Sequence, residues 1–260
     1  MIKNKRQEEI IEILKNEGFA SVRGLSERLY ASQATVRRDL EFLEREGFIQ
    51  RNHGGAILAG ERINIPISFR QKKRYHEKLK IAELAATLIE RDSLVFADAS
   101  TTVLCLADRI SEIEGITVVT NGLLMAQSLV KSGVEIFATG GKLNESALAL
   151  VGRIAERSVA GFNADIMFFS TSSFDGSGQI SDYSDSETSL RIAMLERSRK
   201  KVFMFDSSKY STESAFCVCY AKDIDHIVTD VCLGEDVLDK IGYHLDRSKQ
   251  RAYLYSNNRK

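Results

Sequence analysis

The chain has 260 residues, enough for one large domain or two of ordinary size. Hydrophobic residues make up 43% and charged residues 28%, which is typical of a globular protein and excludes a disordered or collagen-like chain. The sequence contains no apolar run as long as a membrane span, and the N-terminus lacks an apolar signal core. We therefore expect a cytoplasmic protein.

The charge is unevenly distributed along the chain. The net charge is zero, but residues 1–80 hold 17 basic and 11 acidic side chains, a net of +6, and residues 81–260 balance this with a net of −6. Much of the basic excess lies in residues 59–80, which carry seven basic and two acidic side chains. This asymmetry favours an anionic partner for the N-terminal part.

The cysteines indicate neither a metal site nor a disulfide. They sit in apolar stretches without a Cys or His partner at metal-binding spacing. Buried thiols in a core are the more common arrangement. We expect no bound metal and no cofactor. The four positions are Cys105, Cys217, Cys219 and Cys232.

Three amphipathic helices and a hairpin are predicted over residues 1–58. The apolar stripes of the helices are Ile10, Ile11, Ile13 and Leu14, then Val22, Leu25 and Leu29, then Val36, Leu40 and Leu43. Tyr30-Ala31 makes a tight turn before the third helix, and Ser32 is its expected N-cap. The hairpin strands are Phe48–Arg51 and Ala56–Leu58, joined by His53-Gly54-Gly55. This order predicts a winged helix-turn-helix.

The exposed face of the third helix has the chemistry needed to read DNA. Arginine binds guanine or phosphate, threonine contacts a thymine methyl or phosphate, and glutamine reads adenine. The alternative is a solvated surface on which Arg38 and Asp39 pair locally, but the complete helix order with a basic wing favours DNA binding. The predicted DNA-binding residues are Ser32, Gln33, Thr35, Arg37 and Arg38, with Arg51 and His53 on the wing.

Residues 59–78 are predicted to be a basic linker, either a solvated helix or a phosphate-backbone contact. From residue 79 to residue 260, strands alternate with helical sequence, which predicts a mostly parallel α/β sheet. The expected strands are Leu94–Ala97, Ile116–Thr120, Val134–Thr139, Asp165–Ser170, Lys201–Asp206 and His226–Thr229.

Polar and glycine-rich segments follow these strands, at the edge where ligands bind in open α/β sheets. Hydroxyls and free N–H groups at a helix start suit a phosphate, and the accompanying carboxylate, amide and ammonium groups suit a polyol. Each segment alone is also typical of a cap or turn, but their recurrence favours a small phosphorylated sugar. The segments are Asp98-Ala99-Ser100-Thr101-Thr102, Thr120-Asn121-Gly122, Thr139-Gly140-Gly141-Lys142 and Asp206-Ser207-Ser208-Lys209.

Two other functions remain open on the residues alone. Carboxylates and a lysine at the strand ends could support proton transfer, as in a sugar-phosphate isomerase-like enzyme with an appended DNA-binding domain. A pure interaction module would use the same residues only as caps and turns. The sequence lacks the loops of hydrolases, kinases and dinucleotide enzymes where they would be needed, so we predict no catalytic residues. The groups considered for proton transfer are Asp98, Asp175, Glu187, Asp206 and Lys209.

From about Lys5 to Asp230 the chain resembles the DeoR family of transcriptional regulators. The most specific segments are Ser32-Gln33-Ala34-Thr35-Val36-Arg37-Arg38-Asp39-Leu40 and His53-Gly54-Gly55-Ala56. The resemblance implies a DNA-binding domain (residues 1–58) and a sensor and oligomerisation domain (residues 79–260). It also implies a sensor similar to ribose-phosphate isomerase and coenzyme A transferase folds that has lost catalysis. Such regulators are oligomers, dimers or tetramers, that repress sugar or nucleoside operons and bind operator DNA and a phosphorylated sugar.

The same resemblance places the effector contacts. Ser100 stands where the family often has Gly, and Arg191 replaces a frequent Lys, which changes a point charge into a planar fork. These departures leave the identity of the effector open. The predicted effector-binding residues are Asp98, Ser100, Thr101, Thr102, Thr120, Asn121, Gly122, Gly140, Gly141, Arg191 and Lys209.

Overall fold

In the computed structural model, the predicted helices of the N-terminal part and the predicted strands that follow them fall into two units, Met1–Pro66 and Ile67–Lys260. The structure describes residues 5–17, 19–46, 48–52, 54–58 and 67–258. The predicted wing residue His53 and residues 59–66 of the predicted linker therefore lie outside the described residues.

The first unit is the winged helix-turn-helix that the sequence predicts. Its elements are α1 (Lys5–Glu17), β1 (Ala20–Ser21), α2 (Val22–Arg28), α3 (Gln33–Arg45), β2 (Ile49–Asn52) and β3 (Gly55–Leu58). The strands pair antiparallel in the order β1-β3-β2. Its core collects the predicted stripes, including Leu25, Val36, Leu40 and Leu43, all fully buried or nearly so.

A buried carboxylate ties α3 to α1. Asp39 is almost fully buried, and its carboxylate accepts hydrogen bonds from Arg6 Nε at 2.5 Å and Gln7 Nε2 at 3.1 Å. Asp39 therefore pairs across the core with α1, and this contact differs from the local pairing with Arg38 considered above. Arg38 remains exposed and is not part of this pair.

The second unit begins with two helices and continues as an α/β domain. Its helices are α4 (Ile67–Lys72), α5 (Tyr75–Ala85), α6 (Thr101–Leu104), α7 (Ala107–Ile110), α8 (Leu123–Leu129), α9 (Arg153–Val159), α10 (Asp185–Glu196) and α11 (Glu235–Ile241). Its strands are β4 (Leu94–Ala97), β5 (Thr117–Thr120), β6 (Glu135–Ala138), β7 (Lys142–Asn144), β8 (Ala149–Val151), β9 (Ala164–Phe169), β10 (Ser173–Phe174), β11 (Gln179–Asp182), β12 (Ser198–Phe205), β13 (Phe216–Tyr220), β14 (His226–Thr229), β15 (Tyr243–Lys249) and β16 (Ala252–Asn257).

An eight-stranded sheet with the order β15-β16-β14-β12-β9-β4-β5-β6 forms the centre of this unit. The six strands from β14 to β6 are parallel, and β16 and β15 add antiparallel at one end. All six predicted strands are confirmed as the parallel set. A small antiparallel sheet, β10-β11-β13, and the hairpin β7-β8 lie outside this sheet.

Successive residues of each central strand enter different cores. In β9, Ile166 and Phe168 belong to one buried cluster, whereas Met167 and Phe169 belong to the other. This alternation is expected because side chains point to opposite faces of a strand. Helices cover both faces, and strands buried on both faces read as continuous apolar runs.

Because the six strands are parallel, the loops that follow them lie along one edge of the sheet. Loops after β4 and β5 approach closely: a Cβ added to Gly122 would lie 2.9 Å from the Cα of Ala99. Only glycine fits there without moving the backbone. The loop segments that the sequence analysis singled out are therefore neighbours at a common edge.

Three further features limit the chemistry of the fold. The described helices include none with the length and apolarity to cross a membrane. All four cysteines are free thiols. Over the same described ranges, no group of three or more His, Cys, Asp or Glu side chains could hold a metal ion.

We expect Asp39→Ala to destabilise the first unit by about 1–3 kcal/mol, because it removes a buried acceptor of charge-assisted hydrogen bonds. Hydrogen exchange of the α1 and α3 amides, measured on the intact chain, reports this loss. The control is Glu8→Ala on the exposed face of α1. Unchanged exchange in Asp39→Ala would show that the buried pair does not stabilise this unit.

Candidate functional site

The predicted DNA-reading residues lie together in the N-terminal half of α3. Ser32 caps the helix, since its Oγ accepts a hydrogen bond from the Thr35 backbone N–H at 3.2 Å. Gln33 Oε1 accepts from Arg37 Nη2 at 3.3 Å. Arg37 and Arg38 are both exposed. The structure thus presents polar and basic side chains on the face of α3 opposite its core stripe.

Arg51 on the wing forms ion pairs with two glutamates of α3. Its Nη1 lies 3.1 Å from Glu41 Oε1, its Nε lies 3.6 Å from Glu44 Oε2, and its backbone N–H donates to Glu44 Oε1 at 2.9 Å. These contacts fix β2 against α3. A contact between Arg51 and DNA stays a prediction, as does that of His53, which lies outside the described residues.

A buried ion network lies at the carboxyl edge of the sheet in the second unit. Arg191 on α10 donates from Nε to Asp98 Oδ2 and from Nη1 to Asp182 Oδ2, each at 3.0 Å. Asp98 also accepts from the backbone N–H groups of Ser100 and Ser170, at 3.0 and 3.2 Å. Asp98 and Arg191 therefore hold the loops after β4 and β9 in place. Direct contact of either group with an effector stays a prediction.

Lys209 joins this network from the loop after β12. Its Nζ donates to Ser170 Oγ at 2.9 Å. Burial lowers the pKa of Lys209, partly offset by the carboxylates of Asp206, Asp182 and Asp98. Burial alone would raise the pKa of Asp206, but Lys209 and the hydroxyl of Ser208 outweigh it and lower that pKa. The predicted effector lysine thus sits among charged groups from several strand ends.

Lys78 on α5 is a member of this cluster that the predicted site did not include. It is 3% exposed, and its Nζ donates to the Arg70 carbonyl at 2.5 Å and to Thr101 Oγ1 at 3.0 Å. Burial and the charge of Lys209 lower its pKa to about 8, although Asp206 acts in the opposite direction. The sequence contains a signal that could have identified it: Lys78 lies at helical spacing from Ile81 and Ala82, on the buried stripe of α5.

Three buried oxygen atoms have no hydrogen-bond partner among the described residues. They are Thr102 Oγ1, Asn121 Oδ1 and Thr188 Oγ1. Thr102 lies in α6, just after β4, Asn121 lies in the loop after β5, and both were predicted to bind the effector. Buried polar atoms without partners are rare in folded proteins, so each requires an explanation. Contacts of Thr102 and Asn121 with a polar effector stay predictions.

Other predicted effector residues already have structural roles. Ser100 caps α6 by accepting from the Val103 backbone N–H at 3.2 Å, and Thr120 Oγ1 accepts from the Gly122 N–H at 3.0 Å. Gly141 has a φ of 112°, and an added Cβ would lie 2.6 Å from the Val151 carbonyl oxygen. Gly140 also has a positive φ, 67°. Their contacts with an effector stay predictions.

Glu187 connects the hairpin β7-β8 with the ion network. Asn144 Nδ2 donates to Glu187 Oε1 at 3.0 Å, and Ser146 Oγ donates to Asn144 Oδ1 at 2.9 Å. Burial raises the pKa of Glu187, and the guanidinium of Arg191 opposes that shift. Four cations and four carboxylates therefore interact at this edge. They are Arg70, Lys78, Arg191 and Lys209, with Asp98, Asp182, Glu187 and Asp206.

Comparison with known families matches both units. Residues 6–62 match the DeoR-like helix-turn-helix domain, and residues 73–231 match the DeoR C-terminal sensor domain. The chain belongs to the DeoR family. The resemblance stated from the sequence is thereby confirmed, and the chain is a DNA-binding regulator of transcription.

Individual relatives agree with this assignment. The uncharacterised transcriptional regulator YulB of Bacillus subtilis is 33% identical over 88% of this chain and 90% of its own length. The transcriptional repressor AccR of Agrobacterium fabrum is 32% identical, covering 86% and 88%. The glycerol-3-phosphate regulon repressor of Escherichia coli is 29% identical, covering 88% and 92%. By their names, these DeoR relatives are regulators of transcription and not enzymes.

Solved structures show a more distant likeness. Ribose 5-phosphate isomerase from Plasmodium falciparum matches with a TM-score of 0.37 and 10% identity, over 69% of this chain and 76% of that one. Values this low support no argument about what a DeoR sensor domain binds.

The buried Lys78 makes stability depend on pH in a defined direction. Its pKa is about 8 in the folded chain and 10.5 ordinarily, so the unfolded chain binds more protons between these values. Stability contributed by this site therefore rises with pH over that interval. The facing charged or titratable groups are Lys209, Asp206, Cys105 and Arg70.

We expect urea unfolding at several pH values to show this rise in the wild type and a smaller one in Lys78→Met. Lys80→Met, on the same helix and half-buried, is the control. Equal pH slopes for the wild type and Lys78→Met would contradict the depressed pKa of Lys78.

Proposed function

We propose that this chain is a cytoplasmic repressor of a carbohydrate catabolic operon, and that a phosphorylated sugar or polyol controls its affinity for operator DNA. The observation that carries the effector assignment is the carboxyl-edge cluster: Lys78 contacts Thr101, Lys209 contacts Ser170, and Thr102 Oγ1 and Asn121 Oδ1 have no hydrogen-bond partner among the described residues. Ammonium groups suit a phosphate, and neutral oxygen atoms suit sugar hydroxyls.

The DNA side of the proposal rests on α3. In a winged helix-turn-helix the second helix of the motif enters the major groove, and its N-terminal residues contact base edges. Arg37 and Arg38 are exposed in that half of the helix, and Arg37 is pre-oriented by Gln33. A homodimer or tetramer presents two such helices to half-sites about one helical turn, or a multiple of it, apart.

Names of relatives support the choice of regulon and effector class. Two of the relatives are named as repressors, and one of those names refers to a glycerol-phosphate regulon. The same comparisons favour regulation over the isomerase-like alternative. The buried pairing of Asp98 with Arg191 also supports this choice, since an ion-paired carboxylate is a poor general base.

Fluorescence-polarisation binding to DNA upstream of the protein's own operon tests the proposal directly. Titrations across salt concentrations measure phosphate contacts, and a panel of sugar phosphates, with glycerol 3-phosphate included, tests the sensor. We expect specific, salt-sensitive binding that one compound shifts. Conversion of any of these compounds, seen by NMR, would instead support the enzyme.

Arg38→Ala should weaken operator binding about ten-fold or more, because the exposed guanidinium is placed to contact a base or phosphate. The circular dichroism spectrum and melting temperature should match those of the wild type. Arg91→Ala, an exposed arginine of the second unit, is the matched control. Wild-type operator affinity in Arg38→Ala would remove α3 from the proposal.

Lys209→Met should reduce sensitivity to the effector about ten-fold or more, since it removes a charge-assisted donor to the phosphate. The variant should still bind the operator when no effector is present. The measurement is the effector concentration that half-shifts operator binding. An unaltered midpoint would exclude Lys209 from the effector site.

A further inference from the structure

Two buried cations of the second unit are stabilised in different ways. Arg191 is 5% exposed and lies 3.0 Å from each of two carboxylates, those of Asp98 and Asp182. Lys78 is 3% exposed, but its hydrogen-bond acceptors are neutral: the Arg70 carbonyl and the Thr101 hydroxyl. Among the described residues, the ion pairs include none made by Lys78.

Lys78 is therefore an under-compensated buried charge. A buried ion is costly unless opposite charge and hydrogen bonds replace its hydration. Asp206 attracts the Lys78 ammonium, but burial and Lys209 oppose its charged form and lower its pKa. An anion brought next to Lys78 would relieve this cost. An anionic ligand at this position would therefore stabilise the charged form of Lys78.

The acceptor that holds Lys78 belongs to the short helix α4. Hydrogen bonds hold this helix at Ile67 and Arg70. The Ile67 N–H, at its start, donates to the Ser146 carbonyl at 2.8 Å, and the Arg70 carbonyl accepts from Lys78 Nζ. The turn after α4 is held by Arg74, whose Nη1 lies 3.4 Å from Asp230 Oδ2. Thus α4 is attached to the hairpin β7-β8 at Ile67 and, through Lys78 of α5, to Thr101 of the candidate effector site.

The position of α4 in the sequence gives this attachment a consequence. It begins at Ile67, the first residue of the second unit, so every covalent path from the sensor to the DNA-binding unit passes through α4. Of its attachments, the one at Arg70 is made by Lys78 of α5 and by Thr101, which belongs to the segment predicted to hold the phosphate. Thr101 Oγ1 makes only a long contact with that carbonyl, 3.5 Å.

We propose that the phosphate of the effector captures the Lys78 ammonium and the Thr101 hydroxyl from the Arg70 carbonyl, and that the loss of this one attachment of α4 transmits effector binding to the DNA-binding unit. This inference rests on the proposed function, because it takes the phosphorylated effector as given. It gives Lys78 and Thr101 a role in transmitting the signal and identifies α4 as the coupling element.

Energetics favour the exchange of partners. A phosphate oxygen is a stronger acceptor for an ammonium than a backbone carbonyl is, because its hydrogen bond is charge-assisted. The freed Arg70 carbonyl can be hydrated once α4 separates from Lys78, so no buried acceptor is left unsatisfied. The effector thus has a differential affinity for the released state, which is the condition for shifting a conformational equilibrium.

Hydrogen exchange of the intact protein tests the coupling. The probes are inorganic phosphate and glycerol 3-phosphate. The control for ionic strength is sodium chloride at the same ionic strength, without phosphate or sulfate. We expect the phosphate compounds to slow exchange at residues 98–102 and to accelerate it at residues 67–72. Chloride alone should change neither segment.

Variants test the same coupling without a ligand. Lys78→Met removes the donor to Arg70 and should accelerate exchange at residues 67–72, while changing operator affinity about five-fold or more in the direction that the effector does. Thr101→Val removes only the weaker contact and should give a smaller change of the same sign. Lys80→Met on the same helix is the matched control and should behave as the wild type.

The outcomes separate this inference from the proposed function. If residues 98–102 are protected but exchange at residues 67–72 is unchanged or slower, the coupling through α4 is overturned and the proposed effector class still stands. Wild-type exchange at residues 67–72 in a folded Lys78→Met variant overturns the coupling as well. If neither these probes nor any sugar phosphate of the operator-binding panel protects residues 98–102, the effector class is wrong and the inference falls with it.

Discussion

The carboxyl edge of the sheet depends on the buried guanidinium of Arg191. It joins Asp98, at the end of β4, to Asp182, at the end of β11, and Asp98 in turn orients the loop after β9 through the Ser170 N–H. Three chain segments far apart in sequence meet at this one side chain. A planar fork with several donors can satisfy two carboxylates at once, which a lysine ammonium does with less directional control. Arg191, which stands where the family frequently has Lys, therefore holds the loop geometry by bridging Asp98 and Asp182.

With that network fixed, the remaining charges of the site are not equivalent. Arg191 carries its own counter-charges, whereas Lys78 and Lys209 donate to neutral hydroxyl or carbonyl oxygen atoms within hydrogen-bond distance. Removing one partner of a satisfied buried pair leaves an uncompensated charge, so such pairs are unsuited to exchange partners with a ligand. Neutral acceptors are released at lower cost. The structure thus separates groups that maintain the loop geometry from groups that can turn towards an anion.

Much of the fold follows from the sequence, and less of the site does. Apolar periodicity locates the six parallel strands and the three helices of the first unit, because each signal is local and is reinforced along a whole element. Roles of single polar residues depend on partners distant in sequence. Asp39 pairs with Arg6 and Gln7 rather than Arg38, and Arg51 pairs with Glu41 and Glu44, which no spacing rule reveals. Lys78 was detectable in principle as a lysine on an apolar helix face, but its importance comes from the Arg70 carbonyl and Thr101, which only the tertiary structure brings to it.

Parallel topology also explains why the candidate effector residues gather at one edge. Every parallel strand delivers its following loop to the same side of the sheet, so ligand-binding loops gather there in open α/β folds. A helix that enters the domain at that edge can contact the segments gathered there, as α4 does through Ile67 and Arg70 and the turn after it does through Arg74. A signal from ligand to DNA-binding unit then needs no path through the rigid, close-packed sheet. It requires only that a ligand compete for a hydrogen bond that holds the entering helix at this edge, and the bond from Lys78 of α5 to the Arg70 carbonyl is of that kind.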